Sequence, residues 1–505
     1  MYDVIIVGSG PAGISSAWPL VKAKKKVIMI DVGFTHSNNS NSVNEGLFRS
    51  SSPKIASPEF SFVFNRFKEL NKIKTSNFSA HGSLAKGGLS NAWSALVSSF
   101  TEEELSKFPI SRKDLLPFYL STAQRIGISG TKKSDLSNWL GNEYITQPNL
   151  PIHSLAQKLL QSHKNNNIKL DNIDFKMDRH NQAILSKKFK NRKAFDLNNI
   201  HGFKDLGDSV YNSADELKQL SKYKNFNYKS GQYVHDIEQN DNFIELKSEL
   251  IFSKEIKKIR SKILILAAGT IGTTKLVLKF KKHFNKPISL LNTPMFPFAL
   301  FFPLEFRRKG SFKSFSFWHL SYYLGLSEIE SNHKIYGHLA PTDGISYRYL
   351  SENLNLPSSI RNFLSKFLWP KMMVGTCIFP GVFSNNTIIL DSNGELKIIG
   401  ETRSEFKELA PRVKSILSKI FFKFGAILKV KSLSINPGED IHYAGTIPMR
   451  MKPNNLEVDS NGLLSGNGNI YLVDGSILSD LPAKSHTFTV MANSSRIASL
   501  ILKRL

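Results

Sequence analysis

Two sets of residues in this 505-residue chain have types and spacings that could do chemistry. The first is Gly8, Gly10 and Gly13 in "GSGPAG", a G-x-G-x-x-G directly after the apolar run "DVIIV". In this pattern the first glycine permits a tight turn, the second lets backbone approach a pyrophosphate, and the third lets a helix pack on a strand. The helix N-terminus that follows presents free N–H groups and a positive dipole end to an anion. Asp31, 18 residues after Gly13, is placed to accept hydrogen bonds from a ribose. The motif predicts a dinucleotide site and does not choose between NAD and FAD. The second set is His442, in "DIHYAGTIPM", and His486. An imidazole with an ordinary pKa of about 6.5 suits proton transfer near neutrality. A single histidine before a turn is more often a satisfied structural residue, so the chemistry depends on a partner.

These residues need elements to hold them. "DVIIVG", "GPAGISSAWPLVKAKK" and "KVIMIDVG" read as a strand, helix, strand unit of a parallel sheet. Pro19 inside the helix removes a hydrogen bond, which predicts a kink or a short helix. Ser213 and Glu216 have capping-box spacing for a helix to about Lys222. "YKSGQYVHDIEQ" and "NFIELKSE" predict a hairpin turning at Asn240 and Asp241, followed by the buried strand "KILILAAG". "TIILDSNGELKII" predicts a second hairpin at Asn393-Gly394. Residues 287 to 303 are apolar but hold four prolines, which excludes a regular helix.

Composition bounds the class. Hydrophobic residues make up 41% and charged residues 21%, as in a globular chain long enough for two domains. The single cysteine, Cys377, leaves neither a disulfide framework nor a cysteine metal site, and no metal is expected. No spanning segment and no secretory signal are visible, so cytoplasmic residence is the expectation. The net charge of +26 reads first as solvated surface lysine and second as attraction to an anionic partner. "KKFKNRK" (187 to 193) and "RRKGSFK" (307 to 313) fit both readings, and no specific nucleic acid is expected.

Three further stretches carry a resemblance. "HGSLAKGGLSNAWSAL" (81 to 96), "KILILAAGTIGTTKLVL" (262 to 278) and the C-terminal "HYAGTIPM" with "NIYLVDGSILSDLPAKSHTFTVMANSSRIASLIL" resemble segments of the glucose–methanol–choline (GMC) oxidoreductases, FAD-dependent flavoproteins that oxidise alcohols. The segments occur in the family's order, cover both ends of the chain, and leave residues 287 to about 430 only loosely matched. The resemblance implies an α/β fold (α+β overall) with a Rossmann-like FAD-binding domain and a sheet-based substrate domain. It divides the chain into an FAD-binding domain of 1–100, 201–286 and 435–505, a linking or cover region of 101–200, and a substrate domain of 287–434.

Carried over by position, the resemblance implies that Gly8, Ser9, Gly10, Pro11, Ala12 and Gly13 hold the FAD diphosphate and Asp31 the adenosine ribose. Ser83, Gly87, Gly88, Ser90 and Asn91 would lie beside diphosphate and flavin, Val234 by adenine, and Gly269 near the adenosine. Asp474 and Gly475 would meet the diphosphate, and Thr487 and Thr489 the ring. "GGLSNAW" is nearer the pyranose oxidase and gluconate dehydrogenase branch than the choline and glucose enzymes. In that form the position of a covalent histidine is Ala92, which implies non-covalent FAD. The stretch 192 to 214 lacks the cysteines some bacterial relatives carry. His442 and His486 match the two active-site positions, with His486 the expected base and His442 the partner to the substrate oxygen, the reverse assignment staying open.

The implied activity is oxidation of a CH–OH group, a sugar or polyol hydroxyl being one candidate, by hydride transfer to flavin, with substrate, electron acceptor and the choice between oxidase and dehydrogenase open. The competing readings are a GMC-like lyase or reductase, and a basic membrane- or nucleic-acid-binding protein on the same fold. "PISLLNTPMFPFALFFPLEFRRKGSFKSFSFWHLSYYLGL" (287 to 326) and "IRNFLSKFLWPKMMVGTCIFPGVF" (360 to 383) read first as pocket wall and second as segments for an anionic membrane surface. Peripheral membrane association is expected if both lie on one exposed face.

Overall fold

The computed structural model describes residues 1–35, 61–166, 173–197, 208–304, 318–330, 333–342, 357, 359–360, 363, 367–432 and 434–505. The basic cluster at 307 to 313 and the polar loop at 36 to 42 fall outside the described residues.

The opening strand Tyr2–Val7 carries the apolar run Val4 to Val7 buried on both faces, the pattern of a strand inside a parallel sheet. It pairs in parallel with Val27–Ile30 on one side and with Ile256–Leu266 on the other. Phe226–Lys229 adds in parallel beyond Val27–Ile30. The long strand Ile256–Leu266 has two characters: its first half pairs antiparallel with Ile244–Leu250, and its buried end pairs in parallel with Ile470–Leu472. The sheet therefore has seven strands, and residues from the two ends of the chain meet on one strand. The expected hairpin is present, with the Asn240 side chain accepting from Asn242 N and Phe243 N at its turn.

Helix Pro11–Lys22 keeps its full 12 residues despite Pro19. Proline at 19 deprives the Ser15 carbonyl of its helical donor. The Ser495 hydroxyl donates to that carbonyl at 3.0 Å from the C-terminal helix Thr487–Ile501, which packs against it. The capping-box reading at residue 213 needs correction. Helix Ser213–Leu220 is capped by Asn212, whose side chain accepts from Ala214 N. The Ser213 hydroxyl instead donates to Gly87 O at 2.8 Å, and Glu216 accepts from Tyr211 and Arg125. The serine is recruited by the glycine loop.

A second sheet of six strands is antiparallel throughout, in the order 427–429, 295–301, 372–378, 335–341, 320–326, 173–179. Its outer face carries Leu320, Tyr322 and Phe298 against helix Ser404–Lys423, where Phe421 packs on Phe298 and Tyr322. The alternate residues Ser321 and Tyr323, with Tyr336 and His338 of the adjoining strand, fall on the opposite face. A third sheet of four strands, 73–76, 396–399, 386–390 and 288–290, contains the Asn393-Gly394 hairpin, with Gly394 at φ +80°. The stretch 287 to 303 is thus not helical: it forms two short strands, Ile288–Leu290 and Met295–Phe301, with Pro297 inside the second and the other prolines outside both.

Candidate functional site

The carboxyl ends of the parallel strands open on a cavity of about 690 Å³, which Val7, Asp31, Ala267 and Asp474 all line. This is where an open α/β sheet takes a nucleotide. Gly8 sits at φ +100°, and a Cβ there would lie 2.4 Å from Ala267 O. A Cβ on Gly13 would lie 2.0 Å from Gly8 O, so this glycine lets helix close on strand and does not itself line the cavity. At Gly10 nothing lies within 4 Å of a Cβ, and the backbone there faces open space.

Three helices point uncapped N-termini at this cavity. Gly10 precedes Pro11–Lys22, Gly269 precedes Thr270–Phe280, and His486 precedes Thr487–Ile501, and none supplies a side-chain cap. Residues at all three starts line the wall. With no cap from the N-cap side chain, each terminus presents a partial positive charge to the cavity, a demand that a diphosphate meets.

Asp31 lies at the end of its strand with its Oδ2 accepting from the Ser9 hydroxyl and, at 3.3 Å, from Ser9 N. Burial pushes its pKa up to about 6, with the Ser9 bonds opposing the rise. Asp474 is buried between Thr273 and Ser476, accepting from Ser476 N at 3.0 Å and from both hydroxyls. Its carboxyl is likewise raised by burial. Ser83, Gly88, Ser90, Val234, Gly475 and Thr487 also line the cavity. Gly87, at φ +89°, and Asn91 do not; Gly87 N donates to the Ser9 hydroxyl, and Asn91 donates to Lys86 O and Gly88 O, so both shape the loop. Thr489 is turned away to share a 2.8 Å bond with the Tyr119 hydroxyl. His81 lines the cavity, its pKa lowered to about 4 by burial.

The two histidines meet at the edge of this cavity. Their ring centroids are 5.4 Å apart and nearly perpendicular, with His486 on the cavity wall and His442 beside it. Three residues that the sequence did not single out orient His442. The Thr293 hydroxyl donates to Asp440 Oδ2 at 2.7 Å, a charged acceptor that outcompetes the imidazole for the single hydroxyl hydrogen. Toward His442 Nδ1, 3.3 Å away, Thr293 Oγ1 therefore accepts. That relation puts the proton on Nδ1 and leaves the His442 Nε2 lone pair free. Asn292 donates to the other Asp440 oxygen at 3.0 Å. Ile441, between Asp440 and His442, has φ +59°, a conformation that costs a β-branched residue about 1–3 kcal/mol and persists only where surroundings impose it. The one sequence signal for this arrangement was an aspartate two residues before the histidine.

His486 is held through its neighbours. Lys484, fully buried, pairs with buried Glu104 at 2.7 Å, donates to Trp139 O and sits over the Trp139 ring. The Ser98 hydroxyl donates to Ser485 O. His486 Nδ1 is buried without a hydrogen-bond partner among the described residues. Burial lowers its pKa to about 3, with the His442 charge a smaller cause. Burial also lowers His442, but the Asp440 charge opposes that shift. Both rings are neutral at pH 7.

Of the other histidines, His319 accepts from His153 N and His333 bonds Asp480 at 2.8 Å. His338 and His180 share the Ser321 hydroxyl, each at 3.1 Å. Among the described residues no three His, Cys, Asp or Glu side chains form a metal-binding group.

No protein-family model matches the chain, and no curated protein matches it by sequence. By structure it is similar to pyridoxine 4-oxidase from Mesorbium loti, with a TM-score of 0.63 over 100% of this chain and 99% of that one, at 14% identity. The mixed α/β fold, with its Rossmann-type parallel sheet, is thus shared along the whole length.

Proposed function

We propose that the chain is an FAD-dependent oxidoreductase of the GMC type that oxidises a CH–OH group of a small alcohol. The observation that carries this reading is the convergence of three uncapped helix N-termini on a cavity whose wall also holds a neutral histidine with a second one beside it. Similarity of fold to an oxidase supports it. The residues fit FAD: a glycine turn without side chains, Asp31 at the ribose end of the strand and Val234 further along the wall would hold the dinucleotide. Ala92 offers no nucleophile for a covalent bond, which supports non-covalent binding. When bound, the flavin supplies the acceptor for the substrate's hydride.

The protein must take the hydroxyl proton and steady the developing alkoxide. His442 is the better proton acceptor, because Thr293 fixes its tautomer with Nε2 free and Asp440 stabilises the imidazolium that forms. This reverses the assignment expected from the sequence. His486 Nε2, 3.7 Å from where a Gly475 Cβ would be, is the hydrogen-bonding partner for the substrate oxygen. Lys484 and Glu104 hold the backbone that carries it.

The visible absorption spectrum of the purified protein tests the reading. A flavin band that passes to the supernatant on acid precipitation is expected, with bleaching by a substrate alcohol without oxygen. No band before or after adding FAD sinks the proposal.

A further inference from the structure

The six-stranded sheet has two unlike ends. At one end, Thr293, beside the start of strand Met295–Phe301, holds His442. At the other, Phe301 pairs with Met372 and with Ile427, Pro341 pairs with Met373, and Leu320 pairs with Leu339. Chain segments therefore leave or enter the sheet together here, at residues 302–304, 342, 367–371 and 422–426. Phe302 N donates to Lys371 O, tying two of them directly.

This end carries an unusual share of exposed apolar side chains. Twelve large hydrophobic residues are exposed among the described residues, and five are here: Leu304, Ile360, Phe363, Phe367 and Phe422. Leu304 is 82% exposed, Phe422 72% and Phe363 62%. Ile360, Phe363 and Phe367 each have helical backbone and an exposed side chain. The Phe363 and Phe367 rings pack 4.9 Å apart.

Charge says what covers it. Lys419, Lys423 and Lys429 are exposed beside Phe422, and the chain as a whole is +26. A protein interface depletes lysine at its core, and nucleic acid does not reward exposed Phe and Leu. Aromatics beside lysine suit the boundary of an anionic bilayer, where the rings enter the acyl region and the amines meet headgroups. No helix of the described residues is long and apolar enough to cross a membrane, so the contact is with a surface.

We infer that this sheet end, through Leu304, Ile360, Phe363, Phe367 and Phe422 with the lysines around them, docks the protein on an anionic lipid surface. The eight residue steps from Thr293 to Phe301, at about 3.3 Å each, place the histidines about 26 Å away. The inference stands independently of the alcohol oxidation proposed above.

The test is sedimentation of the full chain with phosphatidylcholine vesicles containing or lacking phosphatidylserine. Binding is expected only with phosphatidylserine, weakening several-fold as salt rises from 0.05 to about 0.5 M. The F363S/F367S and L304S/F422S double variants should each lose about tenfold or more in partitioning. Their circular dichroism melts should match the parent, since the residues are exposed. No binding at low salt, or binding unchanged in both variants, overturns the inference. So does duplex DNA binding that outcompetes vesicles, or a dimer by light scattering that the variants dissolve while vesicles stay unbound.

Discussion

The glycine cradle and the histidine site adjoin one cavity but are built differently. The cradle comes from a short run, Gly8, Gly10 and Gly13 within six residues, in which backbone atoms set the steric limit at Gly8 and Gly13 and Gly10 leaves open space. The histidine site is assembled from Thr293, Asp440, His442 and His486, with the Lys484–Glu104 pair reaching across 380 residues. The first kind of site fails by clash, the second by loss of orientation. Substituting in the two regions should separate these failures.

The largest effect is expected in the cradle. Gly8→Ala puts a Cβ 2.4 Å from Ala267 O in a backbone that L residues avoid, costing about 1–3 kcal/mol from conformation before the clash is counted. FAD retention measured by absorbance should be lost and the melting temperature should fall by several degrees. Retention of both would show that the cradle is looser than its geometry. Next, His442→Ala and His486→Ala should leave FAD bound while slowing flavin reduction by about 10²–10⁴-fold for the residue that takes the proton. The spectrum separates this from the first failure, and equal small losses in both variants would remove histidine from the proton transfer. Smaller again, Thr293→Val removes the acceptor that fixes the His442 tautomer, worth about 0.5–1.5 kcal/mol, or up to about tenfold in kcat. Thr293→Ser should restore most of it. A Thr293→Val enzyme with unaltered kcat and pH profile would reduce the threonine to packing.

The same contrast explains what was legible in the sequence. The opening strand, helix and strand, both hairpins and the glycine turn were readable because period, turn residues and sterics act within a few positions. The capping of helix Ser213–Leu220 was misread because a tertiary bond from Ser213 to Gly87 outweighed a local preference. Histidines 442 and 486 were singled out by their resemblance to a pair, yet the order of their roles was not readable, since it rests on Thr293, 149 residues from His442. Asp440 was in plain view and meant nothing until Thr293 and Asn292 were placed around it. The Lys484–Glu104 pair had no sequence signal, because a lysine is ordinarily exposed.

The smallest effect is a pH dependence in which the two regions oppose each other. Burial lowers His81 to about 4 and His180 and His486 to about 3, and lowers His338 and His442 as well. Unfolded, each binds a proton below about 6.5. Between that value and its folded pKa, the unfolded state therefore holds more protons, and stability falls as pH is lowered. Asp31 acts the other way: raised to about 6 against about 3.9 unfolded, it binds more protons when folded, and its contribution weakens as pH rises through 4 to 6. These five histidines, with His163, His235 and His283 also lowered, against Asp31 and the similarly raised Asp474 and Glu104, give a net loss of stability from pH 6.5 to 5, which urea unfolding at each pH would measure. Asp31→Asn should steepen that loss, and His180→Asn should flatten it. The acid limb of kcat/KM should accordingly fall below pH 6.5, since the neutral base persists into acid. A limb above 6.5 would place the working proton on a group other than these two histidines.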